Sequence, residues 1–179
     1  MGTKVGRTVA VEPYKNYHPV LRANGHKVYS YPAEALETYA GKIDLAVSFA
    51  VVEHIPDPLD FMQTIRELLK PGGRLLLSTP NRDDWLIRFL PGTYDRFFYR
   101  LAHIWYFNGP SLENLGRLSG YEASTIHYRH RFDLSNALLW IRDKRPTGLG
   151  KMPLLKSLDD DYQRALTDRG LSDYIYAWF

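Results

Sequence analysis

The sequence predicts an α/β fold built on a mostly parallel sheet. Three observations carry this. Short apolar, β-branched runs alternate with helical stretches over the first eighty residues, the order of βαβ units with right-handed crossovers. The run Asp44-Leu45-Ala46-Val47-Ser48-Phe49 is apolar on both faces, which places a strand in the middle of such a sheet. Each run is closed by breaker residues: Glu12-Pro13, Asn24-Gly25, Lys70-Pro71-Gly72-Gly73 and Pro80-Asn81.

The elements follow in order. Thr8–Val11 is a buried strand stopped at Pro13. Asn16 to Asn24 reads as a helix ended by Gly25, and His26 to Ser30 as a second strand. Asp44–Phe49 is the third. Leu59 to Leu69 carries Leu59, Phe61, Met62, Ile65, Leu68 and Leu69 at helical spacing, and Lys70–Gly73 stops it. Arg74–Thr79 is the fourth strand. Residues 83–108 are crowded with aromatics and read as two short helices inserted as a lid. Ser111 is the expected N-cap of a helix with Leu112, Leu115 and Leu118 on one face and Gly120 as its stop. Tyr121 to Phe132 alternates as a strand. Asp133 caps a helix to about Arg142, Lys144 to Pro153 is a surface loop, Leu158 to Arg169 a helix, and Asp173 to Phe179 a closing strand.

Composition narrows the function. A chain of 179 residues makes one domain and buries a core without disulfide or metal. No apolar stretch approaches a membrane span, and Met1 to Arg7 has no signal-peptide core. The absence of cysteine excludes disulfides, thiolate metal sites and thiol nucleophiles, and fits a cytoplasmic protein. A net charge of +3 is too mild to argue for nucleic acid. The six histidines are dispersed, with no His-x-x-x-His pair on an expected helix, so no metal set stands out.

Four motifs in order then resemble the class I S-adenosylmethionine-dependent methyltransferases, in the small-molecule branch that includes the ubiquinone-biosynthesis O-methyltransferases. They are Val11-Glu12-Pro13, Phe49 through Glu53-His54-Ile55-Pro56-Asp57-Pro58, Leu69-Lys70-Pro71-Gly72-Gly73 and Leu77-Ser78-Thr79-Pro80-Asn81-Arg82. The tail, with His103-Ile104-Trp105-Tyr106-Phe107, Leu118-Ser119-Gly120-Tyr121, Asn136 through Trp140 and Ser172-Asp173, is similar to relatives common in glycan and natural-product gene clusters.

The resemblance implies a Rossmann-like sheet with a C-terminal antiparallel strand, and S-adenosylmethionine as cofactor with S-adenosylhomocysteine as product. A carboxylate at a strand end can accept both ribose hydroxyls, so Glu12 suits that role; otherwise it caps its own turn. Pro13 and Tyr14 would flank the adenine, with the Ala33 backbone N–H reaching the ring. Pro32 stands where the family carries an acid, and Glu34 reads as a helix N-terminal acid. Phe49 and Ala50 would frame the adenosine. His54 would be the general base for a small-molecule acceptor, or else bonds backbone. Tyr106 and His103 would touch the acceptor from the lid. Asn81 and Arg82 either face it or satisfy loop backbone. Trp85, Phe89, Phe97 and Phe98 with Arg88, Arg96 and Arg100 could meet a membrane surface instead.

One family element is missing. Only eleven residues precede Glu12, and they hold no strand ending in a glycine-rich loop. The reading is therefore a single domain over 1–179, truncated at its start, without the first strand and helix. That strand would lie between Thr8–Val11 and Asp44–Phe49. Its absence leaves three outcomes: the two strands pair directly, two chains dimerise across the gap, or the sequence is part of a longer protein. Methyl transfer to oxygen, carbon or nitrogen is the leading expectation. A catalytically inactive binding or partner subunit is the alternative, and a nicotinamide Rossmann enzyme is the poorer third reading.

Overall fold

A computed structural model describes residues 6–145 and 152–179. The chain runs β1 (Val9–Val11), α1 (His18–Ala23), β2 (Lys27–Tyr29), α2 (Leu36–Tyr39), β3 (Ile43–Phe49), α3 (Pro58–Leu68), β4 (Leu69–Pro80), α4 (Trp85–Phe89), α5 (Tyr94–Phe98), α6 (Gly109–Leu118), β5 (Thr125–Arg129), α7 (Leu134–Asp143), α8 (Asp159–Thr167) and β6 (Tyr174–Trp178). Single 3-10 turns precede α1, α2, α3 and α8. Most of the loop expected at Lys144–Pro153 lies outside the described residues, as does Met1–Val5.

The strands form two sheets. β1 and β2 pair in parallel, with Val9 opposite Lys27. The larger sheet has the order β3-β4-β6-β5, parallel between β3 and β4 and antiparallel at β6 on both sides. The core lies on one face of this sheet. Val52, Met62, Leu75, Leu77, Leu112 and Ile175 are fully enclosed there, between the sheet and helices α3 and α6.

Local chemistry sets the helix starts. Asp57 caps α3, its carboxylate accepting from the N–H groups of Leu59 and Asp60. Asp133 caps α7 through Asn136 N–H, as its sequence predicts. The cap of α6 is Asn108 and not Ser111. Asn108 and Ser111 exchange side-chain-to-backbone bonds in a reciprocal capping box, so Ser111 is the third helical residue and the helix starts three residues earlier.

Three expectations are corrected. Lys70–Gly73 is no stop before a separate strand: it is an irregular stretch inside β4, where the register against β3 jumps from Ile43↔Leu69 to Leu45↔Arg74. Gly72 takes a left-handed φ of 76° there. The strand expected over Tyr121–Phe132 is confined to Thr125–Arg129. Finally, β3 is not enclosed on both faces. Ala46 and Ser48 face inward, but Leu45, Val47 and Phe49 are 52%, 59% and 52% exposed. β1 pairs only with β2, so direct closure of β1 onto β3 does not occur, and among the described residues β3 has a strand on one side alone.

Candidate functional site

At the carboxyl end of β3 the chain turns sharply. Ala50 adopts a left-handed φ of 54°, a conformation costly for most side chains and tolerable for a methyl group. Its N–H donates to the Ser78 carbonyl at 2.9 Å, which holds the turn against β4. The turn delivers Val52 and Glu53 to the interior and leaves His54 exposed.

Residues 100–105 of the aromatic segment pack against this turn. The N–H groups of Ile104 and Trp105 donate to the Glu53 carbonyl at 2.8 and 3.1 Å, and the Trp105 indole donates to the Ile55 carbonyl at 3.0 Å. His54 Nδ1 lies 2.6 Å from the Ala102 carbonyl oxygen. A carbonyl only accepts, so Nδ1 carries the hydrogen and Nε2 is left as the basic nitrogen. The ring of His103 stands edge-on to that of His54, with centroids 4.8 Å apart. His103 Nδ1 is buried without a partner, and its pKa is lowered, first by burial and then by the charges of His54 and Arg100.

Glu53 is 2% exposed and accepts a hydrogen bond from the Thr79 hydroxyl at 3.2 Å. Burial pushes its carboxyl upward, against the smaller opposing effects of its hydrogen bonds and His54. Glu53, His54 and His103 each bring one ligand-type atom within 4.8 Å of the others, a donor set that could hold a cation. Sequence spacing could not reveal it, because His103 comes from a segment about fifty residues later.

The remaining expected residues divide into three places. Glu12, Pro13 and Tyr14 follow β1, Ala33 lies exposed after β2, and Phe49 and Ala50 end β3 beside His54. All three places are carboxyl ends of parallel strands, where open α/β sheets take ligands. Glu12 Oε1 accepts from the Tyr14 N–H at 2.7 Å, so the residue caps its own turn. The buried ring of His18 bonds the Glu12 carbonyl at 2.6 Å and fixes this turn, a support that sequence inspection missed. The residues expected to face adenosine offer a carboxylate and the exposed rings of Tyr14 and Phe49, chemistry that a nucleoside would fit. A Cβ built on Gly6 would meet no atom within 4 Å, so that glycine makes no close backbone approach here.

In the segment expected to form a lid, Leu86, Leu90, Tyr94 and Phe98 pack with Trp140 of α7, so α4 and α5 have their own small core. Phe98 is thereby withdrawn from any surface role, while Phe89 and Phe97 stay exposed. The Tyr106 hydroxyl accepts from Arg100 N–H and donates to Arg100 C=O, at 2.7 and 2.9 Å, which ties the lid to itself. Asn81 donates to the carbonyls of Gly170 and Ser172, so it satisfies loop backbone. Among the described residues no helix is long and apolar enough to cross a membrane.

A family model described as a methyltransferase domain matches residues 2–126. A ubiquinone biosynthesis O-methyltransferase of Cereibacter sphaeroides is 41% identical over 75 residues, covering 35% of this chain and 30% of the relative. One from Histophilus somni is 39% identical over 69 residues, covering 32% and 29%. The matched stretch thus spans less than a third of these relatives. Among solved structures, a SAM-dependent methyltransferase from Thermotoga maritima shares the fold at a TM-score of 0.61 and 18% identity, over 96% of this chain and 71% of that one. One from Archaeoglobus fulgidus does so at 0.57 and 14%, over 95% and 74%.

Proposed function

We propose that this chain, which belongs to the S-adenosylmethionine-dependent methyltransferase family, transfers a methyl group to an oxygen of a small-molecule acceptor. When bound, the cofactor supplies an electrophilic methyl on a sulfonium centre. Glu12 would hold the ribose hydroxyls, with Pro13, Tyr14, Ala33, Phe49 and Ala50 around the adenosine. His54 Nε2 would take the acceptor's hydroxyl proton, with Nδ1 kept protonated by Ala102. His103 would meet the acceptor's polar atom, and Tyr106 would brace the lid segment beside it.

The observation that carries this reading is the tautomer of His54: an exposed imidazole with its basic nitrogen free, at the end of β3 and under the lid. Oxygen is favoured over carbon or nitrogen because a hydroxyl needs a base, and because the matched relatives are O-methyltransferases. The test is calorimetric titration of S-adenosylhomocysteine, followed by an acceptor screen with the wild type and His54→Ala. Micromolar binding with turnover that falls in the variant supports the reading, and no heat at millimolar ligand defeats it for this chain.

A second reading is favoured by the open face of β3 and the separate β1–β2 sheet. It is a non-catalytic partner subunit on the same scaffold. Absence of cofactor binding, together with a stable folded chain in solution, would support it.

A further inference from the structure

Asp84 takes no part in the chemistry proposed above, yet its carboxylate is wholly enclosed at 0% exposure. It caps α4, its Oδ1 accepting from Leu86 N–H at 3.0 Å. Its Oδ2 accepts from the hydroxyl of Tyr94, the first residue of α5, at 2.6 Å. One carboxylate therefore ties together both helices of the lid. From Tyr94 a contiguous run of rings leads to the candidate base. Phe98 lies 6.5 Å from Tyr94, Tyr106 5.5 Å from Phe98, His103 5.7 Å from Tyr106, and His54 4.8 Å from His103. Tyr106 also clamps the backbone of Arg100, so the segment carrying His103 is held to that ring.

We propose that Asp84 is a positioning residue, a latch whose proton occupancy sets how firmly the lid holds His103 over His54. The role at His54 rests on the functional reading above; the latch itself does not. The groups that face Asp84 are Tyr94 from α5, Tyr162 from α8, Asp173 at the start of β6 and Arg131 beyond β5. The charge of Arg131 is already engaged by Asp173 at 2.6 Å. Burial first, and then Asp173, push the Asp84 carboxyl up to about 6, against the hydrogen bonds from Tyr94 and Leu86.

An opened lid would return Asp84 to water and to its ordinary value of 3.8. Closure thus takes up a proton: the lid is firmest below about pH 3.8, slackens as pH rises from there to about 6, and changes little above that. Between pH 5 and 7.5 the two values give a change of about tenfold in the opening equilibrium. His130, bonded to Tyr162 and Asp173, has the opposite sign, since burial lowers its pKa. It reaches α4 through Tyr162, whose hydroxyl accepts from the Trp85 indole at 2.9 Å, so the Asp84→Asn variant, which leaves that path intact, separates the two.

The experiment is hydrogen-exchange mass spectrometry on the full chain from pH 5 to 7.5, corrected for intrinsic exchange. Peptides over 85–98 are read against peptides over 109–118. In the wild type, lid opening is expected to rise about tenfold with pH while α6 stays flat. Asp84→Asn keeps the shape and the bond from Leu86 N–H, and its Nδ2 donates to the Tyr94 hydroxyl in place of accepting from it, so its lid should be flat and tight throughout. Tyr94→Phe removes one tie but keeps the carboxylate, so its lid should be looser and still pH-dependent. A flat wild-type lid, or an unchanged slope in Asp84→Asn, overturns the latch. None of these readouts needs methyl transfer, so failure of the latch and failure of the proposed reaction are told apart.

Discussion

His54 donates its Nδ1 hydrogen to the Ala102 carbonyl at 2.6 Å, and this bond joins the turn after β3 to the aromatic segment that follows α5. It fixes the ring by a main-chain group, which no side-chain substitution at position 102 removes. His54→Ala should therefore lower kcat by about 10²–10⁴, the usual worth of a general base. The affinity for S-adenosylhomocysteine should be unchanged, since the expected nucleoside contacts lie elsewhere. Steady-state kinetics beside calorimetry checks both.

Glu53 is a buried carboxylate whose pKa is raised, chiefly by burial. A raised carboxyl favours the fold while protonated, and that contribution is lost as pH rises through the folded value. Glu53→Gln, which can still accept from Thr79, should match or exceed the wild-type Tm at pH 7.5, and the difference should shrink toward pH 4.5. Glu53→Ala strands the Thr79 hydroxyl and should cost about 1–3 kcal/mol. Thermal melts across that pH range distinguish the cases.

Gly73 lies where β4 is irregular. A Cβ there would stand 2.8 Å from the Ile43 carbonyl oxygen and 2.9 Å from that of Lys70, both main-chain atoms that cannot swing aside. Gly73→Ala should destabilise by about 1–3 kcal/mol, read as a lowered midpoint in urea.

Val47 tests the open face of β3. At 59% exposure, Val47→Thr should change stability by less than about 0.5 kcal/mol. Leu77→Ala, in the enclosed core, should cost about 2–5 kcal/mol. A large loss at Val47 would mean that this face is covered in solution.

The sequence carried much of this architecture because its signals are local. Asp57 and Asp133 are caps followed by periodic apolar residues, and β5 alternates as its exposure does. The failures come from partners distant along the chain. Leu45-Ala46-Val47 reads as an interior strand because apolar composition reports what a strand tolerates, not which neighbour it finds. Ser111 and Asn108 are both good caps, and their reciprocal bonds decide between them only in three dimensions. At the site, His54 was legible from its place after a strand. Its tautomer, the orphaned nitrogen of His103 and the Asp84–Tyr94 tie were not, since each needs the lid folded back on the turn.

The position of β6 between β4 and β5 has a consequence for synthesis. Both neighbours leave the ribosome before the strand that joins them. About fifty residues separate the end of β5 from the end of β6, roughly 2–10 s of translation. Through that interval the inner edge of β4 has no partner, and β5 has no sheet to enter. Chaperone capture or pairing with a neighbouring nascent chain competes at that stage, and the order of the strands makes completion of the sheet a late event.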